Sequence, residues 1–480
     1  MAGRLKTAAM GTSGIVFFVV AAAAPLAATL GAGPVVFGAA GPGAPGMYLL
    51  AGVVLLLFAS GYAAMSRHVT NAGGFTAYVS SGLGRRAGHA SAGVALLAYN
   101  CMLVGLFGQF GVFAQDLLGR WGLSVPWQLT AVVALVVVAV LGYLEVNLSA
   151  RVLGVLMVAE VLVLLVFDAA VLVRGGPDGV NLHAFAPSNV FAGAPGVALL
   201  FAFSCFVGFE ATTVYGEEAR EPRRTVPRAT YVAIVLIGLF YTVTMWAIGL
   251  AYGSAEVAAK ASADPVNFVS AVNTAFVGSL STDVMAVLVV TSVFAVLLAL
   301  QNTLTRYLFS LGRAGLLPEP LGRTHPRFQS PHVASVAQSV VTAVVLGLFM
   351  VAGADPLTQL YAWLVGLGTL AVLVLQAGAA VAVVGFFRRR GARPGWAALV
   401  APALGALGLA VGIVLAVLNF DVLTGITGGP AALLPWLIPL AAALTVAIAV
   451  AAARRGRPVD LTATDAVHPT DAAEPSKERT

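Results

Sequence analysis

Phe203-Ser204-Cys205-Phe206-Val207-Gly208-Phe209-Glu210 sets a glycine and a carboxylate inside an otherwise apolar run. A charged side chain at the centre of a membrane helix costs roughly 2.5–3.5 kcal/mol, and glycine weakens the helix that carries it. The stretch is therefore expected to leave the helical path. Its counterpart lies near the start, where Ala24-Pro25 interrupts the first apolar run and Gly31-Ala32-Gly33-Pro34 follows. Proline removes a backbone donor and clashes with the preceding turn, so this run must kink or break. Either interruption alone reads equally well as a tolerated kink. Paired interruptions in corresponding helices of two halves are the best sequence pointer to a transporter's binding site. A break at bilayer depth frees N–H and C=O groups that lipid cannot satisfy, and these must face protein, water or a solute. The fresh N-terminus of a half-helix favours an anion by roughly 0.3–2 kcal/mol. A substrate carboxylate suits that end, and the freed carbonyls suit an ammonium.

Outward from the two breaks, the chain of 480 residues is 59% hydrophobic and 10% charged. A soluble domain needs about 25% charged residues to cover its surface, which excludes a chain that is water-soluble throughout. Apolar runs long enough for a hydrocarbon core fall near 13–37, 46–66, 91–118, 126–147, 152–173, 194–214, 230–252, 282–304, 333–352, 359–386, 397–419 and 432–453. The expected class is an all-α integral membrane protein with twelve transmembrane helices. The first run exceeds a signal-peptide core and is followed at once by another span, so it is expected to stay. Of the 26 Lys and Arg, all but Arg120, Arg174 and Lys260 fall at the N-terminus, in alternate loops or in the C-terminal tail. The positive-inside rule then places both termini in the cytoplasm of a multi-pass cell-membrane protein. The net charge of +6 has the same origin, with lipid headgroups rather than nucleic acid as the partner.

Glu145, Glu160 and Glu210 fall within the expected spans. Glu145 lies near a cytoplasmic end. Asp116 and Asp168 are nearer span ends and are expected to reach the outer interface. Glu160 and Glu210 remain as candidates for binding or proton coupling, against the alternative of hydrogen-bonded packing residues. Cys101 and Cys205 sit in apolar segments as packing residues, with no spacing for a metal or a disulfide. The six histidines are expected in loops or the tail. No nucleophile elbow, phosphate loop or paired metal ligands are present, so neither an enzyme nor a cofactor is expected. Ser254 to Leu280 reads as an outer loop carrying short helices, and 458–480 as a disordered cytoplasmic tail.

On these residues the chain resembles the amino acid–polyamine–organocation (APC) superfamily of permeases. Phe206-Val207-Gly208-Phe209-Glu210, followed by Gly216-Glu217-Glu218-Ala219-Arg220-Glu221-Pro222-Arg223-Arg224-Thr225-Val226-Pro227-Arg228-Ala229, is similar to the family's unwound sixth helix and its cytoplasmic signature. Ala72-Gly73-Gly74-Phe75-Thr76-Ala77-Tyr78 resembles the loop after helix two, and Arg306 through Pro331 resembles the loop after helix eight. The resemblance implies a LeuT-type 5+5 inverted repeat (about 13–173 and 194–386) plus two helices (about 397–453), in a permease domain of residues 1–457. Helices one and six would be discontinuous.

It further implies substrate binding by Ala24, Pro25, Leu26, Ala27 and Ala28 at the first break. Phe206, Val207, Gly208, Phe209 and Glu210 would bind at the second, with Phe206 or Phe209 as an aromatic gate or as core. Asn100, Gln109, Gln301, Asn302, Tyr361 and Trp363 are further candidates. Some proton-coupled relatives have a lysine where Glu160 stands; a glutamate would instead bind a proton or accept a hydrogen bond from freed backbone. The implied function is a secondary active transporter of amino acids, working by alternating access and coupled to protons. Import of polyamines or other amines, exchange of amino acids, and solute sensing without transport stand as alternatives.

Overall fold

The computed structural model describes residues 11–69, 74–144, 150–210, 212, 221–325, 330–390, 395–425, 430–456 and 459. Among them there is no strand. Apolar segments with no water to satisfy their backbone must satisfy it internally, which favours the helix. The first apolar run forms two helices, α1 (Thr12–Ala22) and α2 (Pro25–Ala40). The chain continues through α3 (Ala44–Ser66), α4 (Gly74–Leu83), α5 (Arg85–Arg120), α6 (Trp127–Tyr143) and α7 (Ala150–Arg174). The run containing Glu210 contributes α8 (Pro195–Ser204). Then come α9 (Pro222–Tyr252), two short helices α10 (Val257–Ala263) and α11 (Phe268–Phe276), and α12 (Ser279–Arg313). The long helices that follow are α13 (His332–Val351), α14 (Ala362–Arg389), α15 (Ala401–Leu418) and α16 (Leu437–Arg454).

Among the described residues nine helices are long and apolar enough to cross a membrane. Three shorter apolar helices accompany them, Thr12–Ala21, Trp127–Tyr143 and Pro195–Ser204. The 36 residues of α5 extend about 54 Å, well beyond a 30 Å hydrocarbon core. The expected outer loop does carry its short helices, α10 and α11. At its start the backbone N–H and hydroxyl of Ser254 both donate to Asp178, at 2.8 and 2.6 Å, and hold that exposed carboxyl below its usual range.

Burial sorts the helices into an inner set and a rim. Val132, Val133, Val136 and Val140 of α6 are exposed, as are Val340, Val344 and Leu348 of α13 and Leu440 and Leu444 of α16. So much exposed aliphatic surface would aggregate a soluble protein; here it is the face offered to lipid tails. Inside, α5 packs against α14, α16, α12 and α6, and α3 packs against α9 and α15. With no hydrophobic drive between helices in lipid, close backbone approach does the packing, and it needs small residues. A Cβ on Gly108 of α5 would lie 2.4 Å from the Pro356 carbonyl oxygen, and one on Gly196 of α8 would lie 2.1 Å from that of Leu415.

Past α16, Val459 is buried against Ala92, Leu311, Leu316 and Ala449, and its carbonyl accepts from the Arg85 guanidinium at 2.6 Å. Several expectations lie outside the described residues. They include Glu145, Ala72 and Gly73 of the loop glycine motif, residues 216–220 of the cytoplasmic signature, and the tail from 460 onward.

Candidate functional site

The first break is short. Ala24 sits in the left-handed region (φ 46°), and among the described residues it is the only one other than glycine to do so. A Cβ there costs roughly 1–2 kcal/mol, which the surroundings must hold in place. Pro25 opens α2 and has no N–H, so Leu26 offers the first free donor of the new helix. That donor is taken: the Leu26 N–H donates to Glu160 Oε2 at 3.3 Å, and the Ser292 hydroxyl donates to the same oxygen at 3.0 Å. Glu160 comes from α7 and Ser292 from α12, and both are almost wholly buried. On the other side of the break the Tyr241 hydroxyl, from α9, donates to the Ala23 carbonyl at 3.1 Å. Gln109 Nε2, from α5, donates to the Ala27 carbonyl at 2.7 Å. Gly31 makes this possible, because a Cβ there would lie 2.5 Å from Gln109 Nε2 and 2.7 Å from the Tyr361 hydroxyl oxygen.

The second break is longer and supplies its own partner. After Ser204 the chain turns through Cys205–Glu210, with Gly208 at φ 113°, a conformation open to glycine alone. Glu210 folds back on it: Oε2 accepts from the Gly208 N–H at 2.9 Å, and Oε1 accepts from the Tyr99 hydroxyl at 3.1 Å. The Glu210 carbonyl accepts from the Tyr62 hydroxyl at 3.4 Å. Cys205 Sγ lies 3.7 Å from the Tyr48 hydroxyl oxygen. The rings of Tyr48 and Tyr241 (5.9 Å) and of Phe206 and Tyr241 (6.3 Å) join the two breaks.

The structure thus gathers Ala24, Pro25, Leu26, Ala27, Glu160, Gln109 and Tyr361 around the first break. It gathers Phe206, Val207, Gly208, Phe209 and Glu210 at the second, and the two carboxylates are held by different donors. Phe206 fills the space between Gly52 of α3 and Gly238 of α9, and Phe209 stacks edge-on against Phe58 and Tyr62; both are fully buried. Asn100 and Gln301 lie elsewhere. The Asn100 side-chain oxygen accepts from Gln338 Nε2, and Gln301 Nε2 donates to the Ser335 carbonyl and Ser339 Oγ, all on the seams with α13. Trp363 packs edge-on against Phe349 of α13.

Two sequence expectations need correction. Asp168 does not reach an interface: it is 3% exposed, because α9 covers it and the Thr244 hydroxyl donates to it at 2.9 Å. His89 is not in a loop, since α5 begins at Arg85, ahead of the apolar run, and buries it. Asp116, by contrast, is partly exposed and paired with Arg120 at 2.9 Å. The residues not anticipated are mainly hydroxyl donors, Tyr48, Tyr62, Tyr99, Tyr241 and Ser292. Their signal was a tyrosine or serine deep in an apolar run, where a buried hydroxyl must find a partner.

The chain matches the amino acid permease family over residues 3–449. It is 29% identical over 355 residues to the branched-chain amino acid permease BcaP of Bacillus subtilis (strain 168), covering 70% of this chain and 72% of that protein. It is 28% identical over 334 residues to BcaP of Lactococcus lactis subsp. cremoris (strain MG1363), covering 65% and 69%. The methylthioribose transporter of Bacillus subtilis is 26% identical over 355 residues, covering 70% and 72%. A match across nearly the whole chain, on a helical scaffold built to cross a membrane, shows that this multi-pass membrane protein belongs to the amino acid permease family of the APC superfamily.

Proposed function

We propose that the chain is a secondary transporter that carries amino acids across the cell membrane together with protons, by alternating access. Substrate would bind between the two breaks, on residues 24–28 and 206–210. The observation that carries the reading is Glu160 Oε2 on the Leu26 N–H. The helix end that suits a substrate carboxylate already holds a carboxylate of the protein. One such end cannot serve two anions equally, so substrate competes with ionised Glu160 for it. A proton on Glu160 weakens its hold, since a neutral acid gains little from the partial positive charge of a helix N-terminus. Binding of an amino-acid carboxylate and of a proton then favour one another. Release of both on the far side lets Glu160 recapture Leu26 and reset the site.

The names of the BcaP relatives support branched-chain amino acids as the first substrates to try. The helix order, with runs interrupted at corresponding places, supports a twelve-span 5+5 arrangement with residues 1–457 as the permease domain. The distribution of Lys and Arg supports cytoplasmic termini in the cell membrane.

The test is uptake of labelled leucine, isoleucine and valine into proteoliposomes, with and without a protonophore. Accumulation that collapses with the proton gradient is the expected result. Sodium-dependent uptake indifferent to protonophore would remove the proton from the proposal. A strict need for substrate on the opposite side would make the protein an exchanger, and binding without flux would make it a sensor. Competition by a diamine but not by leucine would favour amine import, with Glu160 or Glu210 as counter-ion.

A further inference from the structure

Asp168 stands two turns beyond Glu160 on α7, about 12 Å along the axis. Oδ2 accepts the Thr244 hydroxyl at 2.9 Å, and Oδ1 is buried with no hydrogen-bond partner. Neighbouring positions along both helices are fully buried and apolar: Leu164, Phe167 and Val171 on α7, and Met245 and Ile248 within about a turn of Thr244 on α9. An ionised carboxylate with one bare oxygen in such a place has lost its hydration and received one hydroxyl in return; a neutral acid has far less to lose.

Among the described residues no charged side chain faces it. Neither α1, α2 nor α11 carries a titratable group. On α9 the Tyr241 hydroxyl is committed to Ala23 and that of Tyr252 to Phe268, while Arg223, Arg224, Arg228 and Tyr231 belong to the opposite end. On α12 Asp283 pairs with Arg120, and Arg306, Tyr307 and Arg313 belong to the last two turns. On α7 itself Glu160 is two turns back, capping α2, and Arg174 ends the helix. Thr244 follows Tyr241 by three residues, so one turn of α9 holds both Asp168 and the Ala23 carbonyl at the first break.

We propose that Asp168 is a second proton-binding site, on the seam of α7 and α9, loaded from the Arg174 end of α7 and coupled to the conformation of the first break. A hydronium ion gives its proton to Oδ1, its own O–H bond breaking to leave water, and the new O–H bond breaks back to water when the seam opens; no electrons change hands. The proposal rests on the proton-coupled transport reading. It adds to Glu160 a site that no substrate need touch.

The test compares wild type, Asp168→Asn and Asp168→Glu in proteoliposomes, by leucine counterflow without a gradient and by accumulation under an inward proton gradient. The Asn variant should keep counterflow within about twofold and lose about tenfold in gradient-driven accumulation, in the range of coupling between two sites. The Glu variant should recover part of that loss. An Asn variant that accumulates like wild type overturns the proposal. If the Asn variant does not assemble, or loses both activities, infrared spectroscopy of wild type and the Glu variant decides. A carboxylic-acid carbonyl stretch that shifts between the two supports a proton on residue 168; no such shift overturns it. Wild type without any counterflow would defeat the transport reading instead, and the infrared comparison would still judge Asp168.

Discussion

The two breaks solve one problem in opposite ways. At the first, the chain leaves the helix for only Ala23 and Ala24, and three backbone groups there are held by other helices: Glu160 from α7 accepts from Leu26, and Tyr241 from α9 and Gln109 from α5 donate to Ala23 and Ala27. At the second, six described residues leave the helix, and Glu210 turns back to accept from the Gly208 N–H within its own segment while Tyr99 of α5 and Tyr62 of α3 donate to it from outside. A short break pinned from outside must change partners with its neighbours when those neighbours move. A long break that carries an acceptor of its own depends less on them, although Tyr99 and Tyr62 also hold it. The first is thus the better place to sense the rest of the protein, and the second the better place to offer a fixed surface.

Substitutions at matched positions test this contrast. The largest effect is expected at Glu160→Gln. Its amide oxygen can still accept from Leu26, so the fold should survive, but gradient-driven uptake should fall on the order of a hundredfold, about 2.7 kcal/mol of barrier. The remaining activity should lose the part of its pH dependence that Glu160 supplies. Glu210→Gln should slow uptake by about tenfold (about 1.4 kcal/mol) while leaving the pH profile in place. Identical pH profiles for the two variants would erase the distinction. Gly31→Ala comes next: its Cβ must displace Gln109 or Tyr361, so a loss of about 1–3 kcal/mol in stability is expected, read as a lower melting temperature in detergent.

A pair of opposite sign follows. Gly208→Ala puts a Cβ at φ 113° and should destabilise by about 1–3 kcal/mol, whereas Ala24→Gly relieves a left-handed alanine and should stabilise by about 0.5 kcal/mol after the entropy cost of glycine. Melting curves of the two variants settle the signs. The smallest effect belongs to Asp178, outside both breaks. Its folded-state value is depressed, so its contribution exists above the ordinary aspartate range, near about pH 4, and is lost as pH falls through the folded value. Asp178→Asn should therefore change melting slightly at neutral pH and not at all in strong acid.

The positions of both breaks were legible because proline and glycine act locally. Pro25 has no N–H whatever surrounds it, and Gly208 reaches φ 113° without penalty. The apolar runs were legible for a similar reason, since lipid constrains composition directly. Partners across the fold were not. Nothing in the string ties Glu160 to Leu26, 134 residues away, or Tyr241 to Ala23, 218 away. Asp168 shows the same limit: six residues from the end of its helix it reads as interfacial, and only the packing of α9 makes it a core residue. Helix ends also shifted where polar residues continue a membrane helix, as in α5, which starts six residues before the apolar run near 91.

Val459 has a practical bearing on how this protein is handled. Its side chain closes a small apolar recess shared by α5, α12 and α16, and its carbonyl holds Arg85. A truncation or a reporter joined ahead of it would leave that recess to detergent or lipid and set an arginine loose at the mouth of α5. A fusion partner joined downstream of it would keep the plug seated, and differences in activity between two such tagged versions would then report on the plug rather than on the tag.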